Sequence, residues 1–152
     1  MAQTNWMLVS SADNFERARA IDFTVLGMKS RHRKKAERVQ PGDRVLYYAT
    51  GVQAFAGTFT VTSPYFESTE LLWQSKKAGE TYPFRFHVKP DVVLPSGVFL
   101  PVIELIPRLE WVKKWPAEHW RLAFQGNVHV LPDNDFATIE AALREKLAPV
   151  RA

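Results

Sequence analysis

A dense basic segment is the first feature of this sequence that could do chemistry. Five of the seven residues from position 29 to position 35 are Lys or Arg, whereas the net charge of the whole chain is only +4. Positive charge concentrated in an otherwise near-neutral chain is typical of a surface that binds anions. We therefore predict that Lys29, Arg31, Arg33 and Lys34 contact phosphate groups. The alternative is that the segment forms an ordinary solvated face.

An isolated tryptophan supplies a second kind of chemistry. Trp73 lies in a predicted loop that also contains Lys76, Lys77 and Gly79. A tryptophan in such a loop has little core to fill, so its indole could offer a flat surface to a ring-shaped ligand. The alternative is that Trp73 folds back over the end of the sheet.

The elements that position these residues can be read from hydrophobic periodicity. Apolar or alternating runs predict strands at residues 6–9, 44–49, 55–62 and 82–89, with a hairpin between the second and third of these. Capping residues predict short helices after Asp13 and after Ser30, and the N-terminus of the second helix would favour anions. A longer helix is predicted after Asp133 or Asn134. The result is a single α+β domain over residues 1–152, with a strand-rich middle.

Composition limits the class of protein. The chain has no cysteine, which excludes disulfides, thiolate metal sites and cysteine nucleophiles. Its four histidines lack metal-site spacing, and the sequence contains no nucleophile elbow or glycine-rich phosphate loop. No apolar run approaches the roughly 20 residues that span a bilayer, and no secretory signal is evident. We expect a cytoplasmic binding protein rather than an enzyme, with no metal, no cofactor and no membrane contact.

An ordered series of short motifs carries a family resemblance. No single motif is decisive, and the resemblance rests on the order of the motifs over residues 5–147. In chain order, the motifs are Trp6 in the first strand, Asn14-Phe15, the basic 27–35 segment, Pro41-Gly42-Asp43, Tyr47-Tyr48, the 56–61 strand, Tyr65-Phe66, Trp73, Tyr82-Pro83, the 124–127 segment and Asp135-Phe136. In this order the sequence resembles the EVE domain, and in particular its free-standing bacterial form. The resemblance implies a PUA-like mixed β-barrel flanked by short helices, related to the YTH domains that read methylated adenine in RNA.

The resemblance also implies a function and a site. The expected partner is nucleic acid, and one of its modified bases is expected to be flipped into an aromatic pocket. The nucleic acid is either DNA that contains a modified cytosine or RNA. Protein domains of a restriction or RNA-processing system are further expected partners. Trp73 corresponds to a cage tryptophan of the YTH relatives. The other predicted pocket residues are polar, aromatic or glycine: Asn14, Gly27, Ser30, Tyr48, Thr50 and Gln125.

Other interpretations stay open at this point. Asn14 and Ser30 are equally suited to capping helices, Gly27 to making a turn, and Tyr48 to packing in the core. A small-molecule or nucleoside binder would explain the aromatic residues but not the basic segment. A metal-dependent nuclease would need Glu16, Asp43 and Glu67 to converge. A protein-interaction subunit is the third alternative.

Overall fold

Eight strands and three α-helices account for most of the regular structure in the computed structural model, which describes residues 3–73, 80–124 and 128–147. The strands are β1 (Asn5–Ser11), β2 (Val25–Met28), β3 (Arg44–Thr50), β4 (Ala54–Val61), β5 (Phe66–Glu67), β6 (Phe84–Val93), β7 (Leu100–Pro101) and β8 (Val128–Val130). The helices are α1 (Ala12–Ala20), α2 (Arg33–Ala36) and α3 (Asp133–Leu147). Short 3₁₀ turns lie at Ser30–His32, Val102–Glu104, Ile106–Arg108, Trp111–Lys114 and Ala117–Phe124.

The strands form one mixed sheet in the order β2-β6-β4-β3-β1-β8, with β5 paired to β6 and β7 paired to β4. Strands β1 and β3 run parallel, and the other pairs are antiparallel. The sheet curls into a half-barrel with the helices around it, which confirms the predicted α+β fold. The predicted hairpin is β3–β4, and Gly51 in its loop has a φ of 86°, a conformation that glycine adopts without strain.

Both faces of the sheet are buried, and residue alternation assigns each side chain to one of them. In β1, Met7 and Val9 join a cluster that packs under α3, whereas Trp6 and Leu8 join the cluster inside the curl. Successive side chains of a strand point to opposite faces. By the same rule, neighbouring Tyr47 and Tyr48 of β3 separate, Tyr47 into the curl and Tyr48 under α3.

The helix starts differ from the predicted ones. Helix α1 is capped by Ser11, whose Oγ accepts a hydrogen bond from the backbone N–H of Asn14 at 3.0 Å, rather than by Asp13. The helix predicted after Ser30 is a 3₁₀ turn followed by the four-residue α2, and no side chain caps either of them. Within the described ranges, no helix is long and apolar enough to cross a membrane.

Candidate functional site

A pocket opens beside the edge strand β2, where the start of α1 meets the residues that precede β6. The space between its walls, counting the solvent at its open side, is about 360 Å³. The lining combines an aliphatic floor with aromatic and polar side chains: Leu8, Val9, Ser10, Asn14, Leu26, Gly27, Met28, Lys29, Tyr47, Trp73, Tyr82 and Val128.

Trp73 and Tyr82 form the aromatic wall of the pocket. Their ring centroids are 5.9 Å apart and their planes make an angle of 69°, an edge-on contact. The indole packs directly on the backbone of β2, because a Cβ atom at position 27 would lie only 2.8 Å from Cζ3 of Trp73. A glycine at this position is therefore what allows the indole to lie against the sheet.

Arg85 holds Trp73 from outside the pocket. Its guanidinium lies 5.1 Å from the centroid of the indole, in a second cavity that shares Trp73 and Tyr82 as walls. The side chain is 4% exposed; its Nε donates to the carbonyl oxygen of Tyr82 at 3.0 Å and its Nη1 to Ser68 Oγ at 3.1 Å. Nη2 donates to the carbonyl oxygen of Glu70. Burial lowers the pKa of Arg85, and the charge of Glu70 opposes that effect.

A hydrogen-bonded polar group closes the inner end of the pocket. The amide Nδ2 of Asn14 donates to Ser10 Oγ at 3.0 Å and to the phenol oxygen of Tyr82 at 3.3 Å. Ser10 Oγ and the Tyr82 hydroxyl lie 3.4 Å apart. The hydroxyl of Tyr47 donates to the carbonyl oxygen of Ser11 at 2.9 Å, and burial raises the pKa of Tyr47 well above its ordinary value. Tyr47 is therefore a neutral phenol at any physiological pH.

An ion pair lies beside the aromatic wall. Lys29 Nζ is 3.1 Å from Glu80 Oε1 and 5.7 Å from the ring centroid of Tyr82. Arg31 approaches the same carboxylate at 3.8 Å. The Lys29 and Glu80 side chains are only 13% and 11% exposed, so solvent screens their charges weakly.

The pocket is nearly filled by its own side chains. Only about 20 Å³ of it can hold the centre of a water molecule, which is room for about one water. A planar ligand therefore enters only if some of the lining side chains move apart.

Comparison with known proteins identifies the family. The model of the EVE domain family matches residues 4–142 of this chain. The chain belongs to the EVE domain family. Its curated relatives include a UPF0310 protein of Pyrococcus abyssi, 29% identical over 148 residues that cover 91% of this chain and 98% of the relative. A UPF0310 protein of Pyrococcus horikoshii is 27% identical over 92% of this chain and 99% of its own length.

Solved structures share the fold of this EVE domain at low sequence identity. Human THYN1, solved in complex with DNA containing 5-methylcytosine, has a TM-score of 0.60 and 12% identity, covering 93% of this chain and 98% of its own. The YTH domain of Zygosaccharomyces rouxii MRB1, in complex with N6-methyladenosine RNA, has a TM-score of 0.66 and 14% identity, covering 93% and 87%. The predicted PUA-like fold is thereby confirmed.

The EVE domain brings four of the predicted site residues together. Asn14, Gly27, Lys29 and Trp73 all line the one pocket, although they come from α1, β2 and two irregular segments. The close neighbour of Gly27 is the indole of Trp73, and Gly27 lies within a strand rather than a turn. The ammonium group of Lys29 is paired with Glu80 in the structure, and its predicted contact with phosphate stays a prediction.

Three predicted pocket residues lie elsewhere. Tyr48 packs under α3, where its ring stacks on Phe124 with the centroids 4.7 Å apart, and it does not line this pocket, whereas its neighbour Tyr47 does. Ser30 and Thr50 are exposed and outside the lining. Gln125 lies outside the described residues.

The other residues predicted to contact phosphate, Arg31, Arg33 and Lys34, are exposed. The side chain of Arg31 is 49% exposed and that of Arg33 is 63% exposed. Lys34 is also exposed. Helix α2 is too short to supply the predicted anion-binding N-terminus, so any phosphate contact must come from the side chains themselves.

Two of the three acidic residues of the nuclease alternative, Asp43 and Glu16, have separate partners, and Glu67 is exposed. Asp43 is 5% exposed and accepts hydrogen bonds from Trp6 Nε1 at 2.9 Å and from the backbone N–H groups of Thr4 and Gln40, both at 3.0 Å. Glu16 pairs with Arg19 at 3.0 Å. In the part of the chain that the structure describes, no three His, Asp or Glu side chains are grouped to hold a metal ion.

Residue types alone do not reveal the other members of the pocket. Tyr82, Ser10 and Tyr47 join it, and Glu80 pairs with Lys29 beside it, through contacts between segments far apart in sequence. One sign was present: alternation in β6 puts Arg85 on the face opposite Phe84 and Phe86, and a buried cation there needs a partner such as an aromatic ring.

Proposed function

We propose that this EVE domain binds nucleic acid and takes one modified base, flipped out of its stack, into the pocket beside Trp73. The observation that carries the proposal is the pocket itself, where an aromatic wall of Trp73 and Tyr82 faces the amide of Asn14 and the ammonium group of Lys29. The fold relatives THYN1 and a YTH domain, solved with methylated DNA and methylated RNA, support the same chemistry.

The pocket offers the three interactions that base recognition needs. A ring stacked on Trp73 gains about 1–3 kcal/mol. The amide of Asn14 carries both a donor and an acceptor, which suits the mixed edge of a base, and its Nδ2 would exchange Ser10 or Tyr82 for the base on binding. The aliphatic floor of Leu8, Leu26 and Met28 suits a methyl group, because it binds apolar surface and offers nothing to an unmodified polar edge.

Binding requires the pocket to widen, because it holds only about one water as it stands. The groups that must separate are Lys29, Tyr82 and Trp73, which meet through one ion pair and edge-on ring contacts. Widening and base flipping both cost free energy, the latter about a few kcal/mol. We therefore propose that the exposed cations Arg31, Arg33 and Lys34 bind the flanking phosphates and contribute the remaining affinity.

A panel of labelled oligonucleotides tests the proposal. Each carries a single 5-methylcytosine, 5-hydroxymethylcytosine or N6-methyladenine, or the plain base, as single and double strands of DNA and RNA at two salt concentrations. We expect one modified strand to bind at least tenfold more tightly than its plain control, with affinity for both falling as salt rises.

Two results would contradict this function. Equal affinity for every modified strand and its plain control would remove base recognition. Tight binding of a free modified nucleoside, with no dependence on salt and no gain from the flanking strand, would make the protein a small-molecule binder instead.

A further inference from the structure

The two rings of the pocket wall each already have a cation close to them. The guanidinium of Arg85 lies 5.1 Å from the Trp73 centroid, and Nζ of Lys29 lies 5.7 Å from the Tyr82 centroid. Both distances are within the range of cation–π attraction. The aromatic wall of this pocket is therefore not an empty electron-rich cage.

Fixed positive charge beside the rings changes which ligands they accept. A cage for a cation works because the ligand's charge meets ring faces that no other cation uses. Here a cationic ligand would share Trp73 with Arg85 and Tyr82 with Lys29, and it would be repelled by both. Arg85 is buried and cannot lose its proton under physiological conditions, so this repulsion is poorly screened.

Negative charge beside the wall is limited. Glu80 is the carboxylate that pairs with Lys29, and it is shared with Arg31. Arg85 donates hydrogen bonds to two carbonyl oxygens and a hydroxyl oxygen, and no carboxylate of the described residues lies within ion-pair distance of it. Among the described residues, the two cations at the rings are therefore balanced only by Glu80, which Arg31 also approaches, and by the charge of Glu70, which is not in ion-pair contact with Arg85.

We propose that the pocket selects an electrically neutral base and rejects bases or ammonium groups that carry a positive charge. The inference rests on the proposed function and adds a ligand class to it. A neutral base keeps its stacking on Trp73 and presents ring nitrogen and carbonyl acceptors to Lys29. A base methylated on a ring nitrogen so that it becomes cationic loses both advantages.

Isomeric bases test this selection at constant size. 5-Methylcytosine and N6-methyladenine are neutral at physiological pH, whereas their isomers 3-methylcytosine and 1-methyladenine are largely cationic. Each is placed in the same single-stranded oligonucleotide, and affinities are compared within each pair. In one of the two pairs, the oligonucleotide with the neutral base should bind more tightly than the unmodified oligonucleotide. In that pair, we expect the neutral base to bind at least tenfold more tightly than its cationic isomer.

Charge variants separate repulsion from shape. Lys29→Gln removes a cation, so it should reduce the preference for the neutral over the cationic isomer at least threefold. Glu80→Gln removes the compensating anion, so it should increase that preference. Lys113→Gln, which removes an exposed lysine in another part of the chain, should leave the preference unchanged.

The outcomes are distinct. Equal or tighter binding of the cationic isomer would overturn the inference while leaving base recognition in place. The preference for the neutral isomer could also change in the same direction in both charge variants, or stay unchanged in both. Either result would assign the selection to shape and would also overturn the inference. If neither isomer binds above the plain strand, the proposed function itself fails.

Discussion

Two aromatic groups of this EVE domain are equally buried but have different neighbours. Trp111, under α3, is 7% exposed and makes edge contacts with Phe124 at 5.3 Å and Trp115 at 5.8 Å. Trp73 is 8% exposed, yet it meets a glycine, a tyrosine edge, a buried arginine and a pocket. Burial alone therefore does not separate an aromatic residue that packs from one that can bind. What surrounds the ring does.

The largest expected effect comes from replacing each of these two tryptophans. Trp111→Leu should lower the free energy of unfolding by about 2–4 kcal/mol, because it leaves a cavity among tightly packed rings. Trp73→Leu should lower it less and abolish the preference for a modified strand. Urea denaturation and oligonucleotide binding measure the two effects.

The Trp73 expectation corrects the one drawn from sequence. A loop tryptophan with little core to fill would contribute little to stability, but a side chain that is only 8% exposed must contribute to it. If the Trp73→Leu protein kept its preference for the modified strand, Trp73 would be a packing residue like Trp111. The distinction between the surroundings of the two tryptophans would then have no functional meaning.

The next largest effect concerns two buried asparagines. Asn14→Ala should weaken the preference for the modified strand about tenfold and cost about 1–3 kcal/mol of stability, because Ser10 and Tyr82 lose a shared donor. Asn5 is the matched control: it is also 3% exposed, its amide donates to Asp133 at 2.6 Å, and it is not among the residues that line the pocket. Asn5→Ala should cost similar stability and leave the preference intact; an equal loss of preference would make the Asn14 effect merely structural.

A smaller effect is expected from the exposed cations. The double variant Arg31→Ala with Arg33→Ala should weaken binding of modified and plain strands alike by several-fold. The slope of log affinity against log salt concentration should fall by the equivalent of up to about two phosphate contacts. Stability should change by less than about 0.5 kcal/mol. The control double variant, Arg108→Ala with Arg144→Ala, should leave binding unchanged. Selective loss for one kind of strand would contradict a phosphate role.

The smallest effect appears only in alkali. Burial raises the pKa of Tyr47, and it raises that of Tyr48 to about 12 against the charge of Arg121. The unfolded chain releases these protons near the ordinary tyrosine pKa, whereas the folded chain keeps them to higher pH. The free energy of unfolding is therefore unaffected below about pH 10 and falls above it. Urea midpoints at about pH 9 and pH 11 should show this fall, and Tyr47→Phe should reduce it. An unchanged fall in that variant would place the titration elsewhere.

The sequence was sufficient for most of the sheet, because alternation is a local property. Strands β1, β3, β4 and β6 were predicted within a few residues, and α3 was also found. The helix predicted after Ser30 is only partly formed, as a 3₁₀ turn and the short α2, and neither of them has a side-chain cap. Alternation also requires Tyr47 and Tyr48 to face opposite sides, but only the curl of the sheet decides which side holds a pocket.

The candidate site was less predictable because its contacts are long-range. Trp73, Asn14, Gly27 and Lys29 were found from residue type and family resemblance. The pairing of Lys29 with Glu80, and the packing of Arg85 on Trp73, depend on segments that meet only in the folded chain. A positive segment can thus be recognised in sequence, but the residues that neutralise part of it cannot.

The most direct test of the account observes Trp73 during binding. Each of the five tryptophans gives one indole N–H resonance in a nitrogen–proton correlation spectrum, and the Trp73→Leu variant identifies that of Trp73. On titration with the preferred modified oligonucleotide, we predict a saturable shift of the Trp73 resonance and almost none for Trp111 or for the plain strand. An unmoved Trp73 resonance in a protein saturated with modified nucleic acid would contradict the proposal that a base enters this pocket.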